Sequence, residues 1–228
     1  MCKPPKNLSR NILLLLILLF SGRLSLAQSS TGTFNSNSFQ FNLNKKWSSF
    51  VETELRSVSF FRKFYYYELK AGVTYQHSPA LSFSLGNGIY NTFNGGADYD
   101  NVKTNFDYRI WEQAQLKHAI NVVSVEHRLR IEQVVNKNFR PNFRYRLQAR
   151  AGLNKKEISK GTVFAAVYDE VFFKTIDPVF SRNRFQAGVG YVFSPAFSAQ
   201  LGYIRQVDYS KDLSFGKNYF YYSASFKF

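Results

Sequence analysis

The chain is nearly without sulfur: 228 residues contain one cysteine, Cys2, and one methionine. A single thiol allows no internal disulfide and no cysteine pair for a structural metal. Histidine is scarce as well, and His77, His118 and His127 show no spacing that would set two imidazoles on one ion. Acidic residues are half as frequent as basic ones, fifteen against thirty, for a formal charge of +15. Only one long apolar run exists, Ile12 to Phe20, and at about 1.5 Å per residue its nine residues cannot span a hydrocarbon core about 30 Å thick. A helical membrane protein is thereby excluded, along with a disulfide scaffold.

That apolar run follows Lys3, Lys6 and Arg10 and precedes Ser25-Leu26-Ala27, the small-residue pattern that a signal peptidase cleaves. Residues 1–27 are therefore expected to be a cleaved signal peptide and residues 28–228 the mature domain. Cys2 stands before the apolar run, whereas a lipidated cysteine follows it, which argues against a lipid anchor. Cleavage would lower the charge to +11 and leave forty aromatic residues, about one in five. That proportion is well above ordinary globular usage and suits the aromatic girdles of a membrane barrel.

The mature chain divides into strand-like segments at 33–43, 47–57, 64–76, 81–92, 103–115, 120–133, 143–153, 162–173, 183–193, 197–206 and 218–228. Pro79, Pro141, Pro178 and Pro195 all fall between them, as expected where a missing N–H would break a ladder. Alternation is clearest where Phe143, Tyr145, Leu147, Ala149 and Ala151 interleave with Arg144, Arg146, Gln148 and Arg150. It is poorer in 103–115 and in 162–173, where Asp169 falls in the apolar register. Residues 72–86 match 188–202 at nine of fifteen positions through the form GVxYxxSPAxSxxLG, a strand, a Ser-Pro turn and a strand. A repeated hairpin is the unit of an up-and-down barrel.

The last ten residues place Phe220, Tyr222, Ala224, Phe226 and Phe228 on one face and Tyr221, Ser223, Ser225 and Lys227 on the other. This resembles the terminal strand of outer-membrane barrels, which implies that Phe220, Tyr222, Phe226 and Phe228 form the membrane-assembly strand read by the barrel-assembly machinery. The fold expected is all-β, an up-and-down antiparallel transmembrane β-barrel of 10–12 strands. Eleven segments conflict with all-antiparallel closure, so ten or twelve strands are expected, with turns near 77–80, 116–119 and 154–161 at the inner rim and long gaps at 93–102, 134–142, 174–182 and 207–217 at the outer rim.

Lys46-Trp47, the run Glu126-His127-Arg128-Leu129-Arg130-Ile131-Glu132-Gln133, Phe143-Arg144-Tyr145-Arg146-Leu147 and Arg182-Asn183-Arg184 leading into Gly188-Val189-Gly190-Tyr191 resemble a family of uncharacterised outer-membrane barrels of Gram-negative bacteria, known only as a domain of unknown function. The resemblance covers the mature chain and implies the fold and the bacterial outer membrane, with no established activity.

With the apolar register toward lipid, the lumen receives Glu126, Arg128, Arg130 and Glu132 from one strand and Arg144, Arg146 and Arg150 from the next. Glu52, Glu54, Arg56, Glu68, Lys70, Asp107, Arg109, Glu170 and Arg184 join them. Such groups either fill a narrow barrel with ion pairs or line a path for a small anionic solute. His77 and His118 are expected in turns and His127 in the outward register, away from Ser124, so no nucleophile meets a base and the chain is expected not to be an enzyme. No cofactor or metal is expected; the loop Asn94 to Asn101 is the one oxygen-rich candidate for calcium. The basic charge suits outer-membrane lipid and lipopolysaccharide, and export excludes nucleic acid. The expected function is a narrow passive channel or structural barrel with an arginine-rich lumen. A barrel enzyme acting on envelope lipids and a soluble periplasmic lipocalin-like carrier are the alternatives.

Overall fold

The computed structural model describes residues 31–93, 103–135 and 141–228. Eleven strands form one closed barrel: β1 Gly32–Asn42, β2 Trp47–Ser59, β3 Arg62–Gln76, β4 Leu81–Phe93, β5 Lys103–Ile120, β6 Val123–Val134, β7 Pro141–Gly152, β8 Val163–Lys174, β9 Phe180–Ser194, β10 Phe197–Tyr209 and β11 Ser214–Lys227. Every sequential pair is antiparallel, and β1 closes on β11 in parallel, from Gly32 opposite Tyr219 to Gln40 opposite Lys227. This corrects the expectation of an even count. A parallel seam lets an odd number of up-and-down strands close, because β1 and β11 then run the same way, toward the rim that carries the C-terminus.

That rim also holds the connections 43–46, 77–80, 121–122, 153–162 and 195–196. Several boundaries differ from the sequence reading: β7 opens on Pro141, which was expected between strands, the gap at 174–182 shrinks to 175–179, and two further shifts are larger. β5 continues to Ile120, so the turn is at 121–122 and His118 lies in a strand. The gap expected at 207–217 shrinks to 210–213, because β10 and β11 pair as far as Tyr209 and Ser214. Residues 94–102 and 136–140, most of the gaps expected at 93–102 and 134–142, lie outside the described residues.

The register inverts a soluble protein. Leu69, Leu85, Leu129, Leu147, Val189 and Leu201 face outward and exposed, while Glu54, Glu68, Glu132, Glu170 and Arg184 face inward and buried. An apolar exterior around a charged interior is stable in lipid and not in water, which removes the lipocalin-like alternative. Asp169 does keep the outward register, hydrogen-bonded by Asn183 Nδ2 at 2.8 Å. Toward the C-terminal rim a ladder of rings runs Phe39, Phe226, Phe197 and Phe193, with centroids 4.9–5.1 Å apart. Phe41 stacks on Phe228 at 5.1 Å. The seam is thus held by backbone pairing and by aromatic contact together.

β1 begins level with Tyr219, whereas β11 starts five residues further toward the opposite rim, at Ser214. Side chains close the wall above β1. A register shift leaves Tyr65 as an extra residue between the pairs Arg56 with Tyr66 and Ser57 with Phe64, and such a bulge re-aims a side chain. Tyr65 thereby reaches past two strands to Tyr219, hydroxyl to hydroxyl at 2.7 Å, beside buried Phe34 and Ile204. Outside, Phe60 meets Phe220 at 5.5 Å. Tyr219→Phe removes only the buried hydroxyl pair and is expected to cost about 1 kcal/mol, read as a lower midpoint in the heat-modifiable gel migration of the barrel. An unchanged midpoint would show that ring packing alone closes this wall.

Candidate functional site

The lumen is built from the inward residues of every strand, and most of its charges are mutually engaged. Glu132 on β6 is fully buried and takes Arg144 Nη2 at 2.6 Å, Arg109 Nη1 at 3.2 Å and Arg130 Nη1 at 3.5 Å. Arg130 also donates to Gln113 Oε1 at 2.8 and 3.0 Å, and its guanidinium lies 3.9 Å over Trp111. Glu126 takes Arg146 at 3.2 Å and Lys117 at 3.6 Å. Arg128 reaches across β7 to Glu170 on β8, which Arg184 approaches at 3.6 Å. Lys70 bridges Glu68 at 2.6 Å and Glu52 at 3.0 Å; Arg56 pairs with Glu54, and Arg109 with Asp107 at 2.7 Å.

All seven residues singled out on β6 and β7 therefore point into the lumen, and so do the nine further candidates. The lumen also holds residues not expected there from sequence, the pair Arg182 with Asp208 and the amides Gln113, Gln186 and Gln206, of which Gln206 accepts from Arg184 at 3.0 Å. Their register was legible, but a neutral amide on a polar face reads the same whether it meets water or a buried guanidinium.

An eleven-stranded barrel is wider than the eight-stranded kind that side chains just fill, and space remains in a file of chambers. One of about 350 Å³ near the rim opposite the C-terminus has Asp107, Glu132 and Asp208 among its walls. It shares Arg109, Arg144 and Arg182 with a central chamber of about 350 Å³, where ten Lys or Arg side chains face four Glu. Arg146, Tyr168 and Tyr221 separate that chamber from one of about 260 Å³, which leads past Arg150 and Lys227 to the C-terminal rim. Arginine stands at each division of the file.

The histidines lie elsewhere. His127 faces outward, its Nδ1 2.8 Å from the Tyr145 hydroxyl, and His118 stacks on it at 5.2 Å. His118 belongs to this strand pair rather than to a turn. The loop 94–101 lies outside the described residues, and among those described no three His, Cys, Asp or Glu side chains gather as a metal site would require.

Comparison with curated proteins found no match. Among solved structures the chain is similar to LpxR from Salmonella typhimurium, with 12% identity, a TM-score of 0.45, and coverage of 78% of this chain and 83% of that one. The expectation that this chain is not an enzyme is withdrawn on that finding; at this level of likeness no reaction or residue role is carried over. A family model described as a protein of unknown function, DUF2490, matches residues 31–214. The eleven-stranded barrel with its charged lumen belongs to the DUF2490 family.

Proposed function

We propose that the barrel is a narrow outer-membrane passage for small anions. The observation that carries this reading is the file of polar chambers, in which cations outnumber carboxylates and arginine stands at each constriction. An excess of fixed positive charge inside low-dielectric walls concentrates anions and repels cations. Guanidinium groups add geometry, since their planar fork matches carboxylate and phosphate oxygens. Ion pairs that skip a strand, such as Arg128 with Glu170, hold the bore narrow, so the passage suits small solutes rather than bulk diffusion. In this reading residues 1–27 direct export, the C-terminal rim is periplasmic, and the row Phe220, Tyr222, Phe226 and Phe228 is presented to the assembly machinery and then to lipid.

Planar-bilayer recording tests the passage. A potassium chloride gradient across the purified barrel is expected to give a reversal potential of the sign set by chloride. Arg146→Ala removes both a constricting side chain and a cation, while Lys117 continues to engage Glu126. Its unitary conductance is expected to rise and its anion preference to fall. Absence of current, or a preference for potassium, removes the reading.

A further inference from the structure

The chamber nearest the C-terminal rim differs from the rest of the lumen in its chemistry. Its walls carry Arg146, Arg150 and Lys227 and no carboxylate, and the remaining polar groups are neutral, mainly glutamines, tyrosines and serines such as Ser38, Ser198 and Ser225. The central chamber and the one at the opposite rim mix both signs. Arg146 is engaged by Glu126 from the edge of the chamber. Among the described residues no carboxylate pairs with Arg150 or with Lys227. Gln148, with its amide oxygen turned to the guanidinium, accepts from Arg150 Nε and Nη2 at 2.9 and 3.2 Å, which orients the fork without neutralising it.

A second observation is independent of charge. Gln186, on β9, is 1% exposed and lines this chamber, yet its Nε2 has no hydrogen-bond partner. A buried amide donor left unmade costs about 1–3 kcal/mol, and here the missing partner must be an acceptor. Two cations outside any ion pair, of which Arg150 feels Glu126 at longer range, line one space of about 260 Å³ with hydroxyl donors and an unmet amide donor, room for an oxyanion and several waters at about 30 Å³ each.

We infer that this chamber is a binding site for a phosphate-class oxyanion, with Arg150 and Lys227 supplying charge and Gln186 Nε2 a fixed donor. The inference names an occupant for the passage proposed above, but it is read by equilibrium binding, which needs no current and so stands or falls separately from conduction. Arg150 and Lys227 are exposed to the opening at the rim, so their replacement leaves the pairing of the barrel intact, and heat-modifiable migration verifies that each variant is folded.

The test is calorimetric titration of the full mature barrel, refolded in a detergent without phosphate, with inorganic phosphate. Saturable binding is expected in the wild type, weakened at least about tenfold in Arg150→Gln with Lys227→Gln, since charge-assisted hydrogen bonds are lost. Gln186→Leu is expected to weaken it less. A parallel titration with dihexanoyl phosphatidate separates the sources: tighter binding than phosphate assigns the site to a lipid headgroup, and equal or weaker binding assigns it to a free ion. Non-saturable uptake by the wild type, or equal affinity in the double variant, overturns the assignment.

Discussion

Glu132→Gln is expected to destabilise the barrel by about 3–5 kcal/mol, the cost of removing one partner from a buried ionic cluster. The carboxylate is fully buried and meets guanidinium groups from three consecutive strands, Arg109 on β5, Arg130 on β6 and Arg144 on β7. The amide keeps the shape and takes away the charge. The three arginines do not suffer equally. Arg109 retains Asp107 and the ring of Tyr90 at 4.3 Å, and Arg130 retains Gln113 and the face of Trp111. Among the described residues Arg144 keeps no second ion pair, only the ring of Phe172 at 4.6 Å and the longer-range attraction of Glu170, so most of the cost falls on it.

Two controls distinguish this account from a general intolerance of the lumen. Glu132→Gln with Arg144→Leu is expected to recover part of the loss, because the stranded cation leaves with its partner. Glu52→Gln is expected to cost less than about 1 kcal/mol, since its side chain is 31% exposed and Lys70 keeps Glu68. Urea-dependent refolding into micelles measures all three. Equal losses for Glu52→Gln and Glu132→Gln would show that the convergence on Glu132 carries no special weight.

How far such a cluster can be read from sequence depends on the range of the interaction. The alternation of Arg144, Arg146, Gln148 and Arg150 with apolar residues gives strand and face directly, because side chains two apart share a side of the sheet. That suffices to place the arginines in one lumen. It does not say which carboxylate each one meets: Arg128 passes its neighbouring strand to reach Glu170, and Tyr65 passes two to reach Tyr219. The parallel seam was illegible for a related reason, since the pairing of β1 with β11 joins the two ends of the chain and leaves no local mark on either. The carboxylate-free chamber was illegible because it is defined by residues that are absent, and its serines and glutamines come from several strands whose sequences look merely solvated.

The repeat GVxYxxSPAxSxxLG was fully legible, yet the structure gives its glycines a use that the sequence does not state. In both copies the first and last glycines face each other across the hairpin, Gly72 with Gly86 and Gly188 with Gly202. In the first copy the space they leave is occupied by aromatic rings. A Cβ at Gly86 would lie 2.3 Å from Cζ2 of Trp111, and one at Gly72 would lie 2.5 Å from Cζ of Phe50. Phe50 and Trp111 stack at 5.5 Å above this bare strip, and Arg130 covers Trp111 on the lumen side.

Gly86→Leu is accordingly expected to cost about 3 kcal/mol by overpacking, because the rigid indole cannot yield and Arg130 would lose its platform. Tryptophan emission reports the displacement if Trp47, the other tryptophan, is first replaced by Phe. Trp111 is 2% exposed in the native barrel, and its emission is expected to shift to longer wavelength when Gly86 is filled. Gly202→Leu supplies the contrast. The nearest atoms around Gly202 are backbone, Ala187 O at 2.4 Å and Gly188 Cα at 2.8 Å, so that variant is expected to strain the β9 and β10 pairing while leaving Trp111 emission unchanged. A red shift confined to Gly86→Leu would assign the first glycine pair to seating the indole that supports Arg130, and through it the cluster on Glu132.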